Sequence, residues 1–228
     1  MISDPNFLLV GNSRLHWAEH SDNQYKFFHT TKDLKVPKNI DLKNLIWAAV
    51  GNLPSFLLAE ENEIKTKDIN ISNLPNHFGV DRALASLAAL NTVRNPFKKN
   101  LLIADFGTIL SLTKVTAQGS IIGGQLTPGF LTQLKSIEKY TKNLKVPEKY
   151  VIPDKDLLIN TEDAILKGVI NSLVGVINIS FNPIKDILII CGGDSELISS
   201  ILKAKNKSMI NAPNLVMEGM ILHIKTSK

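Results

Sequence analysis

The chain has 228 residues, 44% of them hydrophobic and 21% charged. That is enough apolar material for one large domain or two small lobes, and too little polarity for disorder. Lysine and arginine exceed the acids by 26 − 21 = +5, yet the basic residues are scattered and aromatics reach only 6%, which suits anionic substrates and does not favour nucleic-acid binding.

Met1–Asn6 has no basic n-region, Phe7–Val10 is too short for a signal sequence, and no stretch approaches the roughly 20 apolar residues of a membrane span. Phe7–Val10 instead reads as a buried strand entering a tight turn at Gly11-Asn12. Ser13–Glu19 and Gln24–His29 continue as a meander around Ser21-Asp22-Asn23. Leu45–Val50, closed by Gly51-Asn52 and Pro54, is short enough to be a strand, and the polar stretch Lys65–Asn76 is loop. Ala83, Leu84, Leu87, Ala88 and Leu90 have helical spacing and predict a helix over Asp81–Arg94, ended by Asn95-Pro96.

Leu101–Ala104 is a second apolar strand, running into Asp105-Phe106-Gly107-Thr108, and Ser111–Thr116 and Ser120–Gly124 follow it as strands. This repeats the layout of the first thirty residues and predicts two lobes on one plan, 1–97 and 98–228. Pro128 is expected to open a helix reaching about Asn143. Asn160-Thr161-Glu162-Asp163 opens another, with a capping side chain and acids in the first turn, stopped by Asn182-Pro183. Ile187–Cys191 is an apolar strand before Gly192-Gly193-Asp194, and Ser195–Lys205 and Leu215–Ile224 are the last two helices. Cys191, the one cysteine, excludes an internal disulfide and reads as a buried thiol in a reducing, cytoplasmic compartment. The fold class is α/β, two similar lobes, each a mixed sheet flanked by helices.

Three glycine-bearing turns follow apolar strands: Gly11-Asn12-Ser13, Asp105–Thr108 and Gly192-Gly193-Asp194. Such turns let backbone N–H groups approach phosphate oxygens. None is a P-loop or a dinucleotide fingerprint. Asp105 ends a hydrophobic strand, where an acid either caps its own turn or holds a cation. Asp81-Arg82 opens a helix, either as a dipole-matched acid or as a general base beside an anion-binding guanidinium. His16 and His20 have the spacing of a zinc helix but lie in a strand, without the neighbouring glutamate.

Together these pieces resemble the type III pantothenate kinases of the acetate and sugar kinase/heat-shock protein 70/actin superfamily. The matching segments, in order, are Val10–Ser13, Gly79-Val80-Asp81-Arg82, Asp105–Thr108 with Thr113, Gly123–Gly129, Asn160–Ile165 with Gly168, Cys191–Asp194 and Pro213–Gly219. The resemblance implies a duplicated ribonuclease-H-like (actin-like ATPase) fold. It also implies transfer of the γ-phosphoryl group of ATP to pantothenate, the first step of coenzyme A synthesis. By the same resemblance Asp81 is the proton acceptor, and Gly79, Val80, Asp81, Arg82 and Thr161 bind pantothenate. Gly11, Asn12, Ser13 and Thr108 contact ATP, Asp105 holds a monovalent cation (K⁺ or NH₄⁺), Mg²⁺ accompanies the nucleotide, and the protein is a homodimer. One position departs from the pattern. The family's first phosphate motif carries an aspartate two residues before the glycine, and here that residue is Leu9. The substitution implies weaker Mg²⁺ placement and keeps a second reading open, a weakly catalytic or regulatory relative that binds nucleotide or pantothenate.

Overall fold

Strand β1 (Asn6–Val10) is buried along its whole length, as its unbroken apolar run requires of a strand covered on both faces. The computed structural model that shows this describes residues 4–33, 35–57, 62–94, 98–205 and 209–227. Met1–Ser3 and the helix stop expected at Asn95-Pro96 lie outside the described residues. β1 pairs antiparallel with β2 (Arg14–Ser21) and parallel with β4 (Leu45–Ala49), and β2 pairs with β3 (Gln24–Thr31), giving a sheet of order β3-β2-β1-β4. Alternation splits β1 between two cores. Leu8 and Val10 pack with Leu15, Trp17, Leu45 and Trp47, while Phe7 and Leu9 pack with Ala83 and Leu84 of helix α1 (Val80–Thr92) and with Met217 and Met220 of the closing helix.

The second sheet comprises β5 (Asn100–Phe106), β6 (Ile109–Val115), β7 (Ile121–Pro128), β8 (Asp186–Cys191) and β9 (Met209–Asn211), in the order β7-β6-β5-β8-β9. β8 runs parallel to both β5 and β9. Helices α2 (Phe130–Tyr140), α3 (Thr161–Ser180) and α4 (Ser195–Lys205) complete this half, and α5 (Leu215–Thr226) closes the chain. α3 starts where its cap requires: Asp163 N–H donates to the Asn160 side chain at 2.9 Å, with Glu162 and Asp163 in the first turn. By length and composition α3 is apolar enough to cross a membrane, contrary to expectation. Its stripe Leu166, Val169, Ile170, Leu173 and Ile177 is instead buried in the second core, each side chain contributing roughly 1.5–3 kcal/mol.

The chain divides into two compact units. One holds Met1–Lys98, Val115–Ile122 and Asn214–Lys228, the other Lys99–Lys114 and Gly123–Pro213. The repeated layout of the sequence instead assigns 115–122 and 214–228 to the later lobe. α5 joins the first unit because it packs on α1 with almost no clearance: a Cβ on Gly219 would overlap the Leu84 backbone carbonyl. Two expectations need correction. Pro128 ends β7 instead of opening α2, which begins at Phe130, since Gly129 N–H is committed to the Thr108 carbonyl at 2.9 Å and the Gly129 backbone packs against Gly107. β9, three residues long, is missing from the sequence reading.

Candidate active site

In the first unit, the chemistry-bearing residues gather at the C-terminal ends of the parallel strands β1 and β4. Val50 and Gly51 N–H both donate to the Val10 carbonyl, at 3.0 and 3.1 Å, which fixes the Gly11-Asn12-Ser13 turn beside Gly51-Asn52. The fit is close, because a Cβ on Gly51 would overlap the Gly11 carbonyl. Asn12 and Ser13 are exposed at the tip. Val50 also borders an open cleft of about 610 Å³ whose walls include Ala49, Ile64, Thr66, Phe78, Gly79 and Val80. The turn and the Gly79–Arg82 segment therefore share one end of one sheet, the usual position for ligands of parallel strands.

α1 begins at this cleft. Gly79 is its N-cap and offers no side chain to the free N–H groups. Asp81 takes over: its Oδ1 accepts from Arg82 N–H at 2.8 Å. Burial raises the Asp81 pKa above the ordinary carboxylate value, against the downward pull of these N–H groups and of Arg82. The Arg82 guanidinium lies over the Phe78 ring, 3.9 Å from its centroid, a cation–π contact that orients it. Burial draws the Arg82 pKa down while Asp81 opposes the shift. The Phe78 carbonyl in turn accepts from Thr66 Oγ1 at 2.8 Å, tying the loop Lys65–Asp68 to the helix start. An acid and a guanidinium held at a helix start can orient a hydroxyl and meet an anionic substrate.

In the second unit, Asp105 sits one residue before the end of β5, paired in register with Cys191 of β8. Gly192 has φ +86°, and a Cβ there would overlap both Asp105 Oδ1 and the Phe106 carbonyl. Only glycine allows the chain to turn at this spot. Phe106 O also accepts from Asp194 N–H at 3.1 Å. A carboxylate and a carbonyl oxygen thus flank one glycine, and both are hard-oxygen donors of the kind that could hold a cation. Thr108, exposed in the β5–β6 turn, holds α2 in place through its carbonyl, which accepts from Gly129 N–H at 2.9 Å and Thr132 Oγ1 at 2.6 Å. Thr113 is buried. Thr161 is the exposed first residue of α3, so it belongs to the other unit from Gly79–Arg82. Among the described residues no group of three or more His, Cys, Asp or Glu side chains could hold a metal ion. Cys191 is buried and takes part in no disulfide, as the sequence implied.

Sequence reasoning missed the cleft wall at Thr66, which was read only as loop, and the neighbourhood of His16. That ring lies against the Gly11 turn, with His29 and Arg14 beside it. Only strand register brings these three together.

Comparison with known proteins gives a consistent result. The family profile for type III pantothenate kinase matches residues 36–182. A type III pantothenate kinase of Synechocystis sp. is 29% identical over 93% of this chain and 87% of its own length. That of Helicobacter pylori strain J99 is 27% identical over 95% and 89%, and that of Christiangramia forsetii is 33% identical over 68% and 63%. Among solved structures, a chain from Campylobacter jejuni named as a Baf family transcriptional activator superposes with a TM-score of 0.70 at 18% identity, covering 97% of this chain and 98% of its own. Component A of the (R)-2-hydroxyglutaryl-CoA dehydratase of Acidaminococcus fermentans superposes with a TM-score of 0.55 at 12% identity, covering 98% and 99%. Both share the fold, the two-sheet α/β architecture of actin-like ATPases and sugar kinases.

Proposed function

Because the chain belongs to the type III pantothenate kinase family, we propose that it transfers the γ-phosphoryl group of ATP to the primary hydroxyl of pantothenate, supplying coenzyme A synthesis. The observation that carries this reading is the Gly79–Arg82 helix start, where Gly79 and Val80 line the cleft and Asp81 folds back onto the Arg82 N–H. Asp81 orients the substrate hydroxyl and accepts its proton as the phosphoryl group leaves ATP. An acid in this role needs no large pKa shift, because the hydroxyl becomes acidic only in the transition state. Arg82, fixed over Phe78, meets negative charge, either the pantothenate carboxylate or the transferring group. Thr161 adds a contact to pantothenate.

The backbone N–H groups of the Gly11–Ser13 turn donate to phosphate oxygens, and Thr108 contacts ATP. Asp105, with the Phe106 carbonyl, would hold a monovalent cation that screens phosphate charge when bound, and Mg²⁺ would be carried chiefly by the nucleotide, since Leu9 offers it no ligand. The remaining work is in-line positioning, which phosphoryl transfer chiefly requires. We assign the reaction to the cytoplasm, in keeping with the single reduced cysteine, and to a homodimer.

A substrate survey tests this reading. Pantothenate should bind and be phosphorylated, while its methyl ester, which leaves the hydroxyl intact and removes the carboxylate, should bind more weakly. Preference for an unrelated small alcohol would move the chain to another substrate within the same fold.

A further inference from the structure

Between α2, which ends at Tyr140, and α3, which begins at Thr161, the chain runs through Thr141–Asn160 with no helix or strand. Connections of more than about 12–15 residues without elements of their own are uncommon in compact units and are usually functional. This one is held as a strap across its own unit. Val146 and Ile152 pack against the second core, and the Tyr150 ring stands edge-on to Phe130 with centroids 5.1 Å apart. Beyond them the hold passes to one side chain of α3. Lys167 Nζ donates to the Pro153 carbonyl at 3.0 Å and lies 3.4 Å from Asp156 Oδ1. The Lys167 side chain is 13% exposed and that of Asp156 92%, so the carbonyl bond is the firm one and the ion pair adds little.

Only Leu157-Leu158-Ile159 separates this pin from Asn160, whose side chain caps α3, and from Thr161, the first residue of the helix. Leu157 and Ile159 are almost wholly exposed. Apolar side chains so placed gain by collapsing onto a neighbouring apolar surface, and the segment that leads into Thr161 would move with them. It is pinned at both ends instead, by Lys167 on one side and by the Asn160 cap on the other. α3 itself does not require the pin, because its cap bond and its buried stripe of Leu166, Val169, Ile170, Leu173 and Ile177 hold it in place. A largely covered ammonium is costly unless it is hydrogen-bonded, and here its bond goes to the strap.

We propose that Lys167 is a positioning residue: by pinning the strap at Pro153 and Asp156 it fixes the approach to Thr161, and so the direction in which the Thr161 hydroxyl meets pantothenate. This rests on the pantothenate reading of Thr161 above. Lys167 acts through the strap and not on a ligand, so its loss should weaken pantothenate while leaving the nucleotide and the chemical step as they are.

The test is steady-state kinetics and equilibrium titration with pantothenate and with ATP, on the full chain and on Lys167→Met, Lys167→Arg, Pro153→Gly, Thr161→Ala and the double variant Lys167→Met/Thr161→Ala. Amide hydrogen exchange of Thr141–Asn160 and melting temperatures are recorded for each. Lys167→Met, which keeps the stem and removes the ammonium, should speed exchange in the strap and raise Kd and KM for pantothenate roughly tenfold, the scale of one hydrogen bond. The kcat and the KM for ATP should not change. Lys167→Arg, which keeps the donor, should recover most of the loss, and the double variant should be no worse than Thr161→Ala. Pro153→Gly loosens the strap without touching α3, so it should shift pantothenate alone and reads the proposal even if Lys167→Met does not fold. Unchanged pantothenate affinity in Lys167→Met and Pro153→Gly, in a protein that phosphorylates pantothenate, overturns the positioning role and leaves the kinase reading intact. Equal losses for ATP and pantothenate, or additive losses in the double variant, also overturn it. A wild-type chain that neither binds nor phosphorylates pantothenate overturns the kinase reading, and this inference with it.

Discussion

Asp81 occupies the space that a side chain at Gly79 would need: a Cβ on Gly79 would come within 2.6 Å of Asp81 Oδ1. The helix therefore starts without a capping side chain at its N-cap, and the acid two residues later folds back to serve instead. Gly79→Ala tests whether that placement matters. Gly79 has φ −61° and ψ 131°, open to alanine, so stability should change by no more than about 1 kcal/mol. The displaced carboxylate should lower kcat by roughly 10²-fold, the scale of a misplacement near 1 Å. Steady-state kinetics beside thermal melts check this, and an unchanged kcat would mean that Asp81 works from another position.

Asp81→Asn separates chemistry from stability. Removing the proton acceptor should lower kcat by roughly 10²–10⁴-fold. Burial raises the Asp81 pKa in the fold, so above the ordinary carboxylate range the unfolded state ionises more readily than the folded one. The ionised group then costs stability, and the cost disappears toward acid pH, where both states are protonated. The asparagine variant should accordingly melt at or above the wild-type temperature at pH 7, the gap closing toward pH 3. A variant markedly less stable at pH 7 would mark Asp81 as a structural cap.

Asp105 and Gly192 are fitted together in the same manner. If Asp105 holds a monovalent cation, wild-type activity should rise with K⁺ or NH₄⁺ over choline, and Asp105→Asn should erase that response. Gly192→Ala, forced to φ +86° with its Cβ against Asp105 and Phe106, should lose several degrees of melting temperature. Activity indifferent to K⁺, Na⁺ or choline would remove the cation role.

Leu9 and His16 make the fourth case. Burial, followed by the charges of His29 and Arg14, lowers the His16 pKa to about 4. The ring is neutral in the fold while the unfolded chain protonates near the ordinary 6.5. Stability should therefore fall as pH drops from 6.5 to about 4, by at most about 1.4 kcal/mol per pH unit. Leu9→Asp would set a carboxylate across from His16, raise its pKa, and lower the Mg²⁺ concentration for half-maximal activity, at some cost in stability. NMR titration of the His16 ring and a Mg²⁺ titration of activity check this. A His16 titration unmoved by the carboxylate, in a folded variant, would mean that the two residues do not share a face.

The two sheets were readable because their central strands are short apolar runs ended by glycine or proline, and α1 and α3 because their buried stripes and caps are local signals. What stayed hidden depends on distant partners. Pro128 looks like a helix opener, but the bond from the next residue, Gly129 N–H, to the Thr108 carbonyl, some twenty residues earlier, keeps it in a strand. α5 follows the second half in sequence and joins the first unit through Gly219 and Leu84, a contact no local pattern announces. At the site, the Gly79–Arg82 segment was visible as a helix start, whereas the fold-back of Asp81 is a matter of rotamer. The His16–His29 pairing follows from the register of β2 on β3, and a one-residue slip would have sent both rings to the other face.

Incubating the purified protein with ATP and pantothenate, K⁺ and Mg²⁺ present, and following products by ³¹P NMR and mass spectrometry tests the central claim most directly. ADP and 4′-phosphopantothenate should form in equal amounts, and Asp81→Asn should reduce both together. ATP hydrolysed to ADP and inorganic phosphate, or left intact across K⁺, NH₄⁺ and Mg²⁺ conditions, with no phosphopantothenate formed, would contradict it.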